Sequence, residues 1–179
     1  MTLDPAIGHL LAGMVALVFA VGAVQKLRDV PAFHGVLLSY ELVPPRLLRP
    51  LAWAVPLLEA ASALLLVLPA SRPAGAVLGL AVLGLVTAGV AVNLLRGRTD
   101  LGCGCGGLED EQTLSWSLVG RNGVLATLLA SGLVAPAARP LAGLDFLTIV
   151  AGSLVLYGLY VGANQLMANH PRLWRLRHA

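Results

Sequence analysis

The sequence predicts an all-α integral membrane protein, a helical bundle of about five transmembrane helices. The first observation is composition. Of 179 residues, 58% are hydrophobic and 12% charged, and the mean hydropathy is +0.83. Soluble domains average about 45–50% apolar and about 25% charged. A domain near this length leaves roughly a third of its unfolded surface in water, so a soluble monomer could not hide this much apolar side chain. The second observation is segmentation. The apolar residues fall into stretches close to the ~20 residues that a spanning helix needs. An ordinary soluble enzyme, a nucleic-acid binder and a disordered chain are excluded.

The first expected span is Ile7 to Val24, with His9 and Gln25 near its ends. Val21-Gly22-Ala23 has the small residues of a signal-peptide cleavage site, but the segment before it carries Asp4 and no basic residue. A signal peptide wants a positive start and a shorter apolar core, so an uncleaved helix is expected. The second span is Leu51 to Leu68, interrupted by Pro56 and Glu59; the third is Ala74 to Leu95, with no ionisable residue. The fourth, Leu118 to Ala135, carries Arg121 and Asn122 near its start. The fifth, Leu141 to Met167, has Asp145 near its start and Asn164 and Gln165 near its end. Breaks fall at Pro44-Pro45, Ser71-Arg72-Pro73, Gly102 to Gly107 and Pro136 to Pro140, and the stretch from Gln25 to Pro50 reads as a loop. No extramembrane stretch is long enough for a second domain, so residues 1–179 form one transmembrane unit. Gly75 with Gly79, and Gly158 with Gly162, are GxxxG pairs; small residues let helix backbones approach in lipid, and both are read as packing within the bundle.

Charge orients the spans. Five passes put Lys26, Arg28, Arg46, Arg49, Arg96, Arg98, Arg121, Arg172, Arg175 and Arg177 on one side and Arg72 and Arg139 on the other. Ten against two predicts the N-terminus outside and the C-terminus inside. It also accounts for the net charge of +3 without nucleic acid. Trp53, Trp116 and Trp174 fall by this reading at the basic interface, where tryptophan anchors are common.

Few residues remain that could carry chemistry. The two cysteines sit in Gly102-Cys103-Gly104-Cys105-Gly106-Gly107. A disulfide across one residue closes a tight ring, and strained disulfides are the labile, catalytic ones. Arg96, Arg98, Arg121 and a downstream helix start favour thiolate, while Glu109, Asp110 and Glu111 oppose it. A redox-active disulfide is therefore the candidate chemistry, set against two small buried thiols in a loop. Two thiolates without a nearby histidine make an incomplete zinc shell, although copper(I) accepts two soft ligands; no metal is assigned. Glu59, near the middle of a span, is costly there and needs a partner, with Lys26 and Arg121 the candidates. Proton relay or headgroup binding stands beside a purely structural ion pair. Arg121 either reaches Glu59 or the cysteine loop, or snorkels to the interface, and Asn122 can bond across helices. His34, Tyr40 and Glu41 read as loop residues, and His9, His170 and His178 as terminal exposed ones.

The order of these features resembles a known family. Val24-Gln25-Lys26-Leu27 closes the first helix, Tyr40 and Pro44 follow, then Pro56-x-x-Glu59, then Asn93-Leu94-Leu95-Arg96-Gly97, then Cys103-Gly104-Cys105-Gly106 and Arg121-Asn122. This resembles MauE, the methylamine utilisation membrane protein family, within the broader DoxX-like group, over roughly residues 5–135. Gly106-Gly107 stands where the family commonly has a phenylalanine. The resemblance implies a four-helix core plus a C-terminal helix in the bacterial plasma membrane, working with a thioredoxin-like partner. It also implies a part in maturing a disulfide-rich extracytoplasmic subunit, with Cys103 and Cys105 as the catalytic pair and Lys26, Glu59, Arg121 and Asn122 as a supporting polar site. The charge count, however, puts the cysteines at the inner face. Either the pair draws electrons from the cytoplasm, or its loop dips into the bundle, or the spans are miscounted by one.

Other readings of the same residues are a non-enzymatic scaffold subunit of a partner complex and a small lipid- or quinone-binding bundle centred on Glu59. One central acid among five short helices makes a poor ion pathway. Lipid is the expected solvent, and an oligomer or complex is compatible with either reading.

Overall fold

Caps and prolines set where the helices begin. Asp4 accepts a hydrogen bond from the Ala6 N–H at 2.8 Å just before α1 (Pro5–Arg28). Asp29 does the same for Ala32 at 2.8 Å before α2 (Val30–Tyr40). Both satisfy an N–H that the first turn leaves without an intrahelical partner. Prolines occupy the first turns of α3 (Pro45–Val67) and α4 (Arg72–Leu95), where the missing N–H costs nothing. α4 stops at Gly97, whose φ of 76° and N–H bond to the Leu94 carbonyl make a left-handed cap. α5 (Trp116–Ser131) and α6 (Gly143–Arg177) complete the order. This computed structural model describes residues 3–104, 113–134 and 137–177, with side chains as far as residue 169.

The all-α membrane bundle is the observed architecture. α1, α3, α4 and residues 143–169 of α6 are long and apolar enough to cross a membrane. The expected fourth span is shorter than predicted. α5 has 16 residues, about 24 Å at 1.5 Å per residue against a hydrocarbon core of about 30 Å. It ends where the Gly132 N–H turns back to the Leu129 carbonyl at 2.9 Å. The expected loop from Gln25 to Pro50 also differs. It contains α2, whose Phe33, Val36, Leu37 and Tyr40 recur at helical spacing and face inward, and the first turn of α3.

Contacts fix the directions. Lys26 meets Glu59, and Gly75 meets Leu66, so α1, α3 and α4 alternate. Asn122 meets Thr87, and Gly132 meets Ala76, so α5 runs antiparallel to α4. Ser153 bonds Leu10 at 2.9 Å, so α6 runs parallel to α1. The long helices of the described chain thus alternate in direction, with the short α5 packed along α4 and its outer face open, where Val124 is 63% exposed. Lys26, Arg28, Arg46, Arg49, Arg96 and Arg98 collect at one end. Arg72 and Arg139 lie at the other, where Arg139 bonds Asp4 at 3.1 Å and Asp145 at 2.9 Å and ties the starts of α1 and α6 together.

The main core is formed by Val15, Leu66, Ala76, Leu125 and Leu129, all 3% exposed or less. Outside it, Leu64, Val77, Leu85, Val124, Leu144 and Leu166 are each more than half exposed, as expected of surfaces solvated by acyl chains. Because lipid is as apolar as leucine, close packing and interhelical hydrogen bonds must hold the helices together. Gly75 and Gly79 serve this. A Cβ on Gly75 would lie 2.8 Å from the Leu66 nitrogen, one on Gly79 would lie 2.7 Å from the Ser62 hydroxyl, and that hydroxyl donates to the Gly75 carbonyl at 2.9 Å. Gly158 and Gly162 do not, contrary to the reading from spacing. No described atom lies within 4 Å of a Cβ placed on either, because α6 meets α1 through Gly152 and Ser153 instead.

Candidate functional site

Lys26 is in the last turn of α1, and its ammonium donates to both carboxylate oxygens of Glu59, at 3.0 and 2.9 Å. The side chains are only 10% and 12% exposed. The pair forms because Gly22, one turn before Lys26, leaves room beside both charged groups. The Phe33 ring of α2 stacks 5.7 Å from the ammonium, adding a cation–π contact. Pro56, one turn before Glu59, lacks the N–H that would bind the Ala52 carbonyl, which loosens the backbone of α3 beside the charge. Of the two partners considered for Glu59, the ion-pair partner is therefore Lys26.

Arg121 and Asn122 form a second polar group on α5. The guanidinium donates to the Asn122 side-chain oxygen at 3.0 and 3.2 Å and to the Asn164 oxygen at 3.2 Å, and lies 5.9 Å from the centre of the Tyr160 ring. Asn122, 3% exposed, donates to the Thr87 hydroxyl at 2.9 Å, which donates to the Leu83 carbonyl at 2.6 Å. One chain of hydrogen bonds thus links α6, α5 and α4, and each missing bond would leave a polar group unsatisfied in a medium without water.

Cys103 is buried, 5% exposed, against Tyr40, Val90, Leu94 and Leu118. The Tyr40 hydroxyl donates to the carbonyls of Cys103 at 3.2 Å and Gly102 at 3.4 Å. Gly104 has a φ of 63°, and a Cβ there would sit 2.9 Å from a Val36 methyl, so the turn needs glycine on both counts. Arg98 does not sit loose beside the thiol. Its guanidinium caps the end of α2 through the Ser39 carbonyl at 2.9 Å and the Tyr40 carbonyl at 3.5 Å, with Glu41 at 3.3 Å and Asn93 at 3.4 Å. Cys105, Glu109, Asp110 and Glu111 lie outside the described residues.

One cavity of about 550 Å³ gathers these parts. Lys26, Glu59, Arg121, Asn122 and Cys103, five of the six residues singled out from sequence, all line it. The remaining wall is mainly aliphatic and aromatic, from α1 to α5 with Tyr160 of α6. Reading the sequence missed Tyr40, Thr87, Arg98 and Tyr160 as site residues. Tyr40 could have been found: it lies four residues after Val36 and seven after Phe33, on the apolar stripe of α2. Thr87 and Tyr160 carry no local signal. Their role is created by the packing of α4 and α6 on α5. His9, expected to be exposed, is half-buried with its Nδ1 2.6 Å from the Pro5 carbonyl.

Residues 4–135 match the family model described as Methylamine utilisation protein MauE. The chain belongs to the MauE family. It is 37% identical to the methylamine utilization protein MauE of Paracoccus versutus over 172 residues, which cover 94% of this chain and 92% of that relative. It is 40% identical to the MauE of Methylorubrum extorquens over 173 residues, 89% and 92% of the two chains. The MauE of Paracoccus denitrificans is 38% identical over 169 residues, 92% and 89% of the two chains. No solved structure matches the chain. The MauE model covers Lys26, Glu59, Cys103, Arg121 and Asn122, whereas Tyr160 and Asn164, which complete the arginine's surroundings, lie beyond it.

Proposed function

We propose that this MauE-family protein is a membrane thiol–disulfide relay in which Cys103 and Cys105 cycle between dithiol and disulfide with a thioredoxin-like partner. It would serve the maturation of disulfide-containing extracytoplasmic proteins, as in methylamine utilisation. The observation that carries the reading is the position of Cys103. Its backbone is pinned by Tyr40 and shaped by Gly104, and it stands in the wall of the cavity that also holds the ion pair.

In the exchange step, a partner thiolate attacks one sulfur of the Cys103–Cys105 disulfide and the other leaves as thiolate. A second partner thiol then attacks the mixed disulfide. The partner ends oxidised by two electrons and this pair ends as the dithiol.

The orientation proposed is N-terminus outside and C-terminus inside in a bacterial plasma membrane, supported by the basic groups gathered at the Lys26 end. It places the cysteine turn toward the cytoplasmic end, while the substrates to be matured lie across the membrane. Burial of Cys103 within the bundle favours a turn that dips into the protein over one that stands in the aqueous phase.

The test replaces both cysteines with serine and follows maturation of a disulfide-containing extracytoplasmic substrate in the host. Loss of maturation with normal membrane levels of the variant is expected, and full maturation would refute the relay. Labelling intact cells with a membrane-impermeant maleimide, with and without reductant, reads the side and the redox state. Labelling from outside would overturn the inside placement.

A further inference from the structure

The cavity has a chemistry of its own. Its volume of about 550 Å³ falls in the range of roughly 300–1,000 Å³ typical of small-molecule sites, which are apolar with a few placed polar groups. Three features narrow the ligand. Leu47, Leu85 and Val92 line the cavity yet are 50%, 61% and 37% exposed. They belong to the outer faces of α3 and α4, so the cavity opens sideways toward acyl chains and admits a ligand dissolved in the bilayer. The Lys26 charge is balanced by Glu59, and the N–H groups of Lys26 and of the Arg121–Asn122 pair stand on the α1 and α5 walls. Such walls suit a neutral head group that accepts hydrogen bonds. Finally, Cys103 shares the same space.

We propose that this cavity binds the head group of an isoprenoid quinone, which enters from the bilayer past α3 and α4 and accepts hydrogen bonds from Lys26 and the Arg121–Asn122 pair through its carbonyl oxygens. Choosing a quinone over another neutral lipid rests on the relay reading. A dithiol that returns to the disulfide must pass on two electrons. Cys103 and Cys105 lose two electrons and two protons as the S–S bond forms. The quinone takes up both and becomes the hydroquinone, so no further reactant is needed. An acceptor carried by the bilayer reaches the cavity laterally and serves a cysteine pair at either membrane face.

The experiment uses the full chain in phosphatidylcholine nanodiscs, with a photoreactive decyl-benzoquinone as probe and cross-links mapped by mass spectrometry. Saturable labelling of cavity peptides is expected, competed by unlabelled decyl-benzoquinone and not by decanol. Ala88→Phe adds bulk at an exposed wall position where folding is least disturbed. It should weaken labelling by about tenfold or more, as overfilling a fitted site does. Labelling that does not saturate, is unchanged in Ala88→Phe, or is competed equally by decanol would overturn the site. A second arm adds the pre-reduced protein to the quinone and measures hydroquinone. Wild type should produce it. The Cys103→Ser/Cys105→Ser double variant should not. Saturable, quinone-selective labelling without hydroquinone from wild type would overturn the quinone as electron acceptor of the cysteine pair and leave the binding site standing, while the relay itself stands or falls on the maturation assay. Hydroquinone formed with no saturable labelling would sink the site and leave the relay.

Discussion

The ion pair between Lys26 and Glu59 should behave as a unit, which a double-mutant cycle can show. Both carboxylate oxygens lie within 3.0 Å of the ammonium, and neither side chain is more than 12% exposed. Opposite charges 4 Å apart attract by about 4 kcal/mol at an effective dielectric of 20, but most of that is offset by taking both out of water. The larger effect is asymmetric. Removing one partner strands the other, at a cost of roughly 3–5 kcal/mol for a buried pair. The cavity beside the pair lets the stranded group relax or neutralise, so the lower end of that range is expected. Lys26→Met and Glu59→Gln should therefore each destabilise the protein by about 3 kcal/mol. Lys26→Met/Glu59→Gln together should cost no more than about 2 kcal/mol, because neither charge is then left alone. The assay is reversible unfolding in mixed micelles, read by circular dichroism, for all four proteins. Single effects that add within about 0.5 kcal/mol would refute the reasoning, since additivity of that quality marks independent sites.

Other predictions concern packing, backbone and acid stability. Gly75→Ala places a methyl 2.8 Å from the Leu66 nitrogen and should cost about 1–3 kcal/mol by forcing α3 and α4 apart, whereas Gly158→Ala, which meets nothing, should stay within about 0.5 kcal/mol of wild type; melting in detergent compares the two. Gly104→Ala combines a φ of 63° with a 2.9 Å contact to Val36. It should cost about 1–2 kcal/mol in backbone strain alone and speed maleimide modification of the cysteines in detergent, an effect that Val36→Ala should partly reverse. At the opposite end, the hydrogen bond from Arg139, aided by the Ala6 N–H, holds the Asp4 carboxyl below its usual 3.8. A depressed carboxylate stabilises the fold above its unfolded pKa and loses that contribution as pH falls through the lower, folded value. Wild type should therefore lose stability below pH 3.8, Arg139→Gln should show a flatter acid limb, and added salt should shrink the difference because the groups are exposed.

The membrane class, the helix order and most polar site residues were legible in the amino-acid sequence for a physical reason. In lipid, each charge inside an apolar stretch is costly, so Lys26, Glu59 and Arg121 stand out individually, and the lopsided distribution of basic residues separates the two ends. Cys103, which lines the cavity, stood out for the same reason of scarcity. Local spacing also contained α2, but a run holding three prolines and six charged residues between Gln25 and Pro50 reads as a loop until the inward face of Phe33, Val36, Leu37 and Tyr40 has something to pack against. Spacing alone could not tell Gly75-Gly79, which admits α3, from Gly158-Gly162, which faces outward, since a small residue shows only that approach is allowed. Nor could it choose Lys26 over Arg121 as the ion partner of Glu59, or set Arg98 to capping α2. Those assignments depend on which helices lie side by side and at what height. Tertiary structure alone made the cavity, because its walls come from helices distant in sequence, and it turned scarce polar residues scattered over nearly a hundred positions into a single site.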